Sequence, residues 1–296
     1  MHTHQTLYIA GHKLAVLPLN PEASGETIIL LHGFSHSIGG WLSDTTFRSL
    51  GRCYALSLPG HYPAAFPPGF TRQQLTTELI AELLAKAIER IAGDEPVTLV
   101  GFSTGGYAAL ALAALYPQRI KRVICVAGFA QGRWGGPVGA WQRLAGGSLI
   151  QRTRLWLQLQ LLKPISLNMF IRLPIWQQSV GDSPNIKANP LLKPYAAGLH
   201  RYIRGVRPGA LIQYCQAMAA IDITALLPAI RLPMLVMFGS RDPVVPPEQG
   251  RLIANTVQNA TLAELVGAGH LVMLERPSEY SQIIHSWMKE SRRDLL

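Results

Sequence analysis

Acidic residues are the scarcest chemical class in this chain: 17 Asp and Glu stand against 27 Lys and Arg, which leaves a net charge of +10. Only 15% of the 296 residues are charged while 48% are hydrophobic, a balance that excludes intrinsic disorder and provides for a sizeable core. Cysteine is almost absent. Cys53, Cys125 and Cys215 form an odd set without CxxC spacing, which argues against a disulfide framework and against a zinc cluster, so no metal or other cofactor is expected. Long apolar runs are missing too. Stretches such as Val97 to Val100 and Val123 to Val126 are interrupted well before the roughly 18 residues that a membrane span requires. The opening Met1 to Gln5 is polar, without the basic-then-apolar order of a secretory signal, so a cytoplasmic chain is expected.

The length suits two modest domains or one large α/β domain carrying an insertion. Leu7 to Leu17 reads as a β-hairpin turning at Ala10, Gly11 and His12. Thr27 to Leu31, Cys53 to Leu58, Val97 to Val100 and Val123 to Val126 are short, β-rich and apolar, as strands buried on both faces are. Thr71 to Ile91 places Leu75, Leu79, Leu83 and Ile88 at helical spacing, and Thr104 to Tyr116 forms a second helix stopped by Pro117. Met234 to Phe238 and Thr261 to Val266 resume the strand pattern, and Pro277 to Lys289 ends the chain as a helix. Strand and helix alternate, which predicts an α/β fold: a mostly parallel central sheet flanked by helices.

The surplus charge is localised. Between Phe129 and Leu227 lie Arg133, Arg143, Arg152, Arg154, Lys163, Arg172, Lys187, Lys193, Arg201, Arg204 and Arg207, opposed only by Asp182 and Asp222. This segment has no clear strand. It holds four of the six Trp, and Pro164, Pro174, Pro184, Pro190 and Pro194 divide it into helix-length pieces. We expect residues 1–128 and 228–296 to form the core domain and 129–227 an inserted α-helical cap. Leu155 to Leu162, with Arg152, Arg154 and Lys163 around it, either packs the cap onto the sheet, lines an acyl pocket, or offers an apolar and basic surface to an anionic membrane. Nucleic acid is disfavoured because no recognition motif accompanies the charge.

The sharpest local feature is Val97 to Gly106, VTLVGFSTGG, where a strand enters Gly101, Phe102, Ser103, Thr104 and Gly105 and leaves as a helix. Glycines two residues on either side of Ser103 permit a sharp strand-to-helix turn, which lifts the serine oxygen out of the sheet beside a helix N-terminus. A serine there is placed to attack a carbonyl, provided that a base and an orienting acid reach it.

With these residues the chain resembles the α/β-hydrolase superfamily over nearly its whole length. Leu31, His32, Gly33 and Phe34 resemble that family's HG turn, and the resemblance implies an oxyanion hole made by the backbone amides of Phe34 and Thr104. Phe238 to Pro246, FGSRDPVVP, resembles the acid loop, which implies Asp242 as the orienting acid; the loop after Val123 to Ala127 offers no competing carboxylate. Gly267 to His270 resembles the GxGH turn, which implies His270 as the base. One departure is Cys53 to His61, CYALSLPGH, where the family often has Asp at the position of Ser57. His2, His4, His12, His36, His200 and His285 lack a partner motif and are expected to be structural, and Trp41 to belong to the core.

The resemblance implies a serine esterase or thioesterase acting on a small molecule with a hydrophobic acyl group through an acyl-enzyme intermediate. Lipase, lactonase, carbon–carbon bond hydrolase and acyltransferase activities remain open, as does a non-catalytic ligand receptor on the same scaffold. The basic cap adds possible contact with an anionic membrane or with an acidic acyl carrier.

Overall fold

A computed structural model of the chain describes residues 3–183 and 185–293, so that His2 and Pro184 lie outside the described residues. Strands β1 (Gln5–Ile9) and β2 (His12–Pro18) form the expected hairpin, with Ile9 paired to His12. Ala10 and Gly11 both take positive φ, at 49° and 79°, as a tight two-residue turn requires. Then come β3 (Thr27–Leu31), β4 (Arg52–Leu56), helix α1 (Thr77–Ala92), β5 (Val97–Phe102), α2 (Thr104–Leu115) and β6 (Ile120–Val126). Six helices follow without an intervening strand: α3 (Gly136–Gly146), α4 (Leu149–Leu161), α5 (Leu167–Phe170), α6 (Pro174–Gln177), α7 (Leu192–Ile203) and α8 (Pro208–Met218). The chain closes with β7 (Met234–Gly239), α9 (Pro247–Thr256), β8 (Ala260–Leu265), α10 (Val272–Glu275) and α11 (Pro277–Arg293).

The eight strands make one sheet in the order β1-β2-β4-β3-β5-β6-β7-β8, parallel from β4 to β8 with β1 and β2 antiparallel at one side. Alternate residues feed two cores, as the period of a strand demands. Ile29, Leu31, Val97, Leu99, Val236 and Phe238 face one; Ile28, Leu30, Val100, Phe102, Leu235 and Met237 face the other. The helices between β6 and β7 extend both. Leu155, Leu159, Leu211 and Tyr214 continue the first core, while Trp176, Tyr195, Leu199 and Tyr202 continue the second.

One local expectation needs adjusting. The helix read from Thr71 starts at Thr77, because the Thr76 hydroxyl accepts from Leu79 N and caps it there; Thr71 and Gln74 instead close a capping box on a separate 3₁₀ turn. Pro174 and Pro194 fall where new helices begin, in keeping with a division into helix-length pieces: both sit in the first turn, of α6 and α7, where a missing N–H costs nothing. Trp41 is buried as expected, in a 3₁₀ turn spanning Ile38–Leu42.

Candidate active site

Strand order reverses between β3 and β5: the chain leaves β3 for β4 on one side and returns to β5 on the other. Loops diverging from such a pair open a crevice at the carboxyl edge of the sheet. The HG turn follows β3 and Ser103 follows β5, so the sheet order itself makes them neighbours. Ser103 has φ 56° and ψ −117°, a left-handed conformation in which a residue with a side chain is strained. Close packing holds it there. A Cβ at Gly106 would approach Gly128 Cα to 2.7 Å, and one at Gly105 would lie 2.8 Å from the His32 carbonyl oxygen, so the strand-to-helix turn at Ser103 presses against the ends of β3 and β6 only where side chains are missing.

Asp242 follows β7 and His270 follows β8, and both side chains are buried together with Ser103. His270 Nδ1 donates to Asp242 Oδ2 at 2.7 Å, and its Nε2 lies 3.0 Å from Ser103 Oγ. The second Asp242 oxygen accepts from Val244 N at 2.8 Å and Val245 N at 2.9 Å, which fixes the carboxylate plane. With Nδ1–H committed to a carboxylate, Nε2 presents its lone pair to the serine hydroxyl. The structure thus brings together the three side chains singled out in the sequence.

The Phe34 amide is oriented by its neighbours. Leu58 N donates to His32 Nε2 at 3.2 Å, so the proton of this imidazole sits on Nδ1, which donates to Gly33 O at 2.8 Å. Gly33 C=O and Phe34 N–H belong to one planar trans peptide and point in opposite directions. Holding the carbonyl on His32 therefore turns the Phe34 amide away from it. Neither Phe34 N nor Thr104 N donates a hydrogen bond within the described residues, and Thr104 is the first residue of α2, where the helix dipole is positive.

Three neutral imidazoles surround the turn. Burial holds His32 well below its ordinary pKa of 6.5. Burial likewise brings His36 and His61 down to about 4, although carbonyl acceptors at Phe34 and Pro59 oppose the shift. His36 also borders the site. Its Nδ1 donates to Phe34 O at 2.8 Å, and its ring stands on the cavity wall with Ser103 and His270 while its buried Nε2 has no partner. Glu275 escaped the sequence reading altogether. Its buried carboxylate accepts from Gly269 N and Gly181 N, and with the bond from His270 N to Ser179 O it ties the histidine loop to the inserted segment. No motif marks Glu275; only the turn that returns α10 over the His270 loop brings it there.

A cavity of about 560 Å³ adjoins Ser103 and His270, within the range of small-molecule sites. Phe34, Trp134, Leu159, Phe170, Leu211 and Val244 are among its walls, and no Asp, Glu, Lys or Arg contributes among the described residues. It accommodates an uncharged, apolar group beside the serine. No cluster of His, Cys, Asp and Glu suited to a metal occurs among the described residues, and no described helix is long and apolar enough to cross a membrane.

Comparison with known proteins gives a consistent result. Residues 28–283 match the family model described as "Alpha/beta hydrolase family". The polyketide synthase ThaQ of Burkholderia thailandensis is 25% identical over 91% of this chain, which there corresponds to only 12% of a much longer protein. A pimeloyl-[acyl-carrier protein] methyl ester esterase of Neisseria meningitidis is 25% identical over 79% of this chain and 82% of its own length. Among solved structures, the enol-lactonase from Burkholderia xenovorans LB400 superposes with a TM-score of 0.70 at 19% identity, over 96% of this chain and all of that one.

Proposed function

The chain belongs to the alpha/beta hydrolase family, and on that premise we propose that it is a serine hydrolase cleaving a carboxylic ester or thioester with a hydrophobic acyl group. The observation that carries the proposal is the buried chain of contacts from Asp242 through His270 to Ser103, at 2.7 and 3.0 Å, opening on an apolar cavity. In this reading His270 Nε2 takes the Ser103 proton as Oγ attacks the acyl carbonyl, and Asp242 holds the tautomer and stabilises the imidazolium. The Phe34 and Thr104 amides receive the oxyanion; each such donor in a comparable site is worth about 3 kcal/mol of transition-state stabilisation. His270 then protonates the leaving alcohol or thiol. Water repeats the cycle on the acyl-enzyme and restores Ser103.

The proposal extends to the inserted segment. Residues 129–227 act as a helical cap that encloses the acyl group, and their basic exterior suits an anionic membrane or an acidic acyl carrier; the relative that acts on an acyl-carrier-protein ester supports the second. A cytoplasmic setting accords with three cysteines that are all free and buried. The deciding experiment is hydrolysis of p-nitrophenyl butyrate together with mass-spectrometric mapping of a fluorophosphonate adduct. Turnover with the adduct on Ser103 is expected. Absence of both, with a small molecule bound and unchanged, overturns the proposal in favour of a receptor.

A further inference from the structure

Helix α4 is apolar on two sides, and only one of them is covered. Leu155 and Leu159 are buried, and Gln158, Leu159 and Leu162 line the cavity. On the other side Ile150, Arg154, Leu157 and Leu161 recur at helical spacing, flanked by Leu149 and Trp156. Leu149, Ile150 and Leu161 are 72%, 81% and 69% exposed, and Trp156, Leu157 and, from α5, Met169 are exposed beside them. Clustered apolar exposure of this kind marks an interaction site.

Charge identifies the occupant. No Asp or Glu occurs between Glu95 and Asp182, so Arg154 on this face and the exposed Arg152 on the same helix have no carboxylate from their own segment. The two carboxylates of the insertion are engaged elsewhere: Asp182 pairs with Arg241, and Asp222 accepts from Gln131 and Thr224. A second copy of this chain would bring cations against cations. An acidic carrier protein would satisfy the arginines and leave the aliphatic side chains and Trp156 without a reason to be exposed. An anionic bilayer meets both requirements, because aliphatic side chains and an indole enter the headgroup boundary while Arg and Lys meet the phosphates.

We propose that the outer face of α4, with Met169 of α5, docks on an anionic lipid surface. The same two helices present Leu159 and Phe170 to the cavity on their inner side, one helix thickness away. Docking would therefore set the acyl site against the bilayer and favour acyl groups drawn from lipid; this consequence rests on the hydrolase reading, whereas the docking does not.

The test is co-sedimentation of the full-length Ser103→Ala protein with vesicles of phosphatidylcholine alone and of phosphatidylcholine mixed equally with phosphatidylglycerol. Binding to the mixed vesicles only, weakened by salt, is expected. The pair Arg152→Gln and Arg154→Gln should weaken it about fivefold per lost charge. The pair Leu157→Ser and Leu161→Ser should weaken it at least about tenfold, since two aliphatic side chains leave the apolar phase. Equal and negligible binding to both vesicles, or affinity unmoved by the leucine pair, overturns the proposal. So does a stoichiometric complex with a purified acyl carrier protein, or concentration-dependent dimerisation, that the leucine pair abolishes. Hydrolysis of soluble p-nitrophenyl butyrate by the two surface variants in the Ser103 background should be unchanged. That assay separates a failed docking face from failed chemistry.

Discussion

Replacing Asp242 by Asn removes one charge and alters almost no volume, yet the local hydrogen bonding dictates how the new side chain must sit. Val244 N and Val245 N both donate to Asp242 Oδ1, at 2.8 and 2.9 Å, and an amide nitrogen cannot accept either of them. The Asn oxygen must therefore occupy the Oδ1 position, which sends its NH₂ group to the place of Oδ2, 2.7 Å from His270 Nδ1. Two donors cannot face each other, so the imidazole moves its proton to Nε2. That nitrogen lies 3.0 Å from Ser103 Oγ and can then no longer take the serine proton. A wrong-tautomer replacement in a serine protease triad lowers kcat by about 10⁴, equivalent to about 5.5 kcal/mol of barrier, and the same loss is expected here. Burst and steady-state kinetics with p-nitrophenyl butyrate measure it, with a thermal melt within a few degrees of wild type as the control for folding. Activity within tenfold of wild type in a folded Asp242→Asn protein would refute the assignment of both acid and base.

Further outcomes follow from the same geometry. His36 and His61 fall from 6.5 to about 4 on burial, so between those values the unfolded chain binds more protons. Stability is then complete above pH 6.5 and lost on acidification, by about 2 kcal/mol per histidine from pH 7 to pH 5, and urea unfolding of the wild type and of a His36→Gln, His61→Gln variant checks whether the slope belongs to them. Ser103 holds φ 56° and ψ −117°, so Ser103→Gly should abolish turnover while raising unfolding stability by about 1 kcal/mol, read by urea denaturation; a less stable variant contradicts the strain. Because the cavity walls are apolar and carry no ionic side chain among the described residues, kcat/KM for p-nitrophenyl esters should rise about fourfold per acyl methylene until about 560 Å³ is filled. A terminal carboxylate on the acyl chain should cancel that gain.

Much of the site was legible because each turn carries its own constraint in the sequence. Gly101, Gly105 and Gly106 declare a close approach, Gly33 a turn beneath Phe34, and Asp242 and His270 each follow a strand directly, so sheet order alone converges them. What escaped depends on contacts between distant segments. His36 reads as one more residue of a polar turn, and only the fold seats its ring beside His270 with an unpartnered Nε2. Glu275 reads as an ordinary helical glutamate until the α10 turn places its carboxylate on the Gly269 and Gly181 amides. The start of α1 was misjudged for a simpler reason. Thr71 and Thr76 both offer caps, and Leu75 fits the helical period from a 3₁₀ turn as well as from an α-helix.

The inserted helices show where compositional reading reaches its end. A mixed apolar and basic stretch such as Leu155 to Leu162 supports packing and surface contact equally well, since sequence period alone cannot say which side is covered. The structure divides the residues by role: Leu155 and Leu159 face inward, while Trp156, Leu157 and Leu161 do not. The basic residues of the insertion are all outside the cavity wall, so the surplus charge and the apolar site are separated in space. That separation matters for selectivity. Charge that lined the cavity would bind an acyl carboxylate in the ground state, whereas charge confined to the exterior acts on what the protein meets before any acyl chain enters. On the proposed hydrolase reading, apolar contact would govern discrimination among acyl groups, and electrostatics where the protein encounters them.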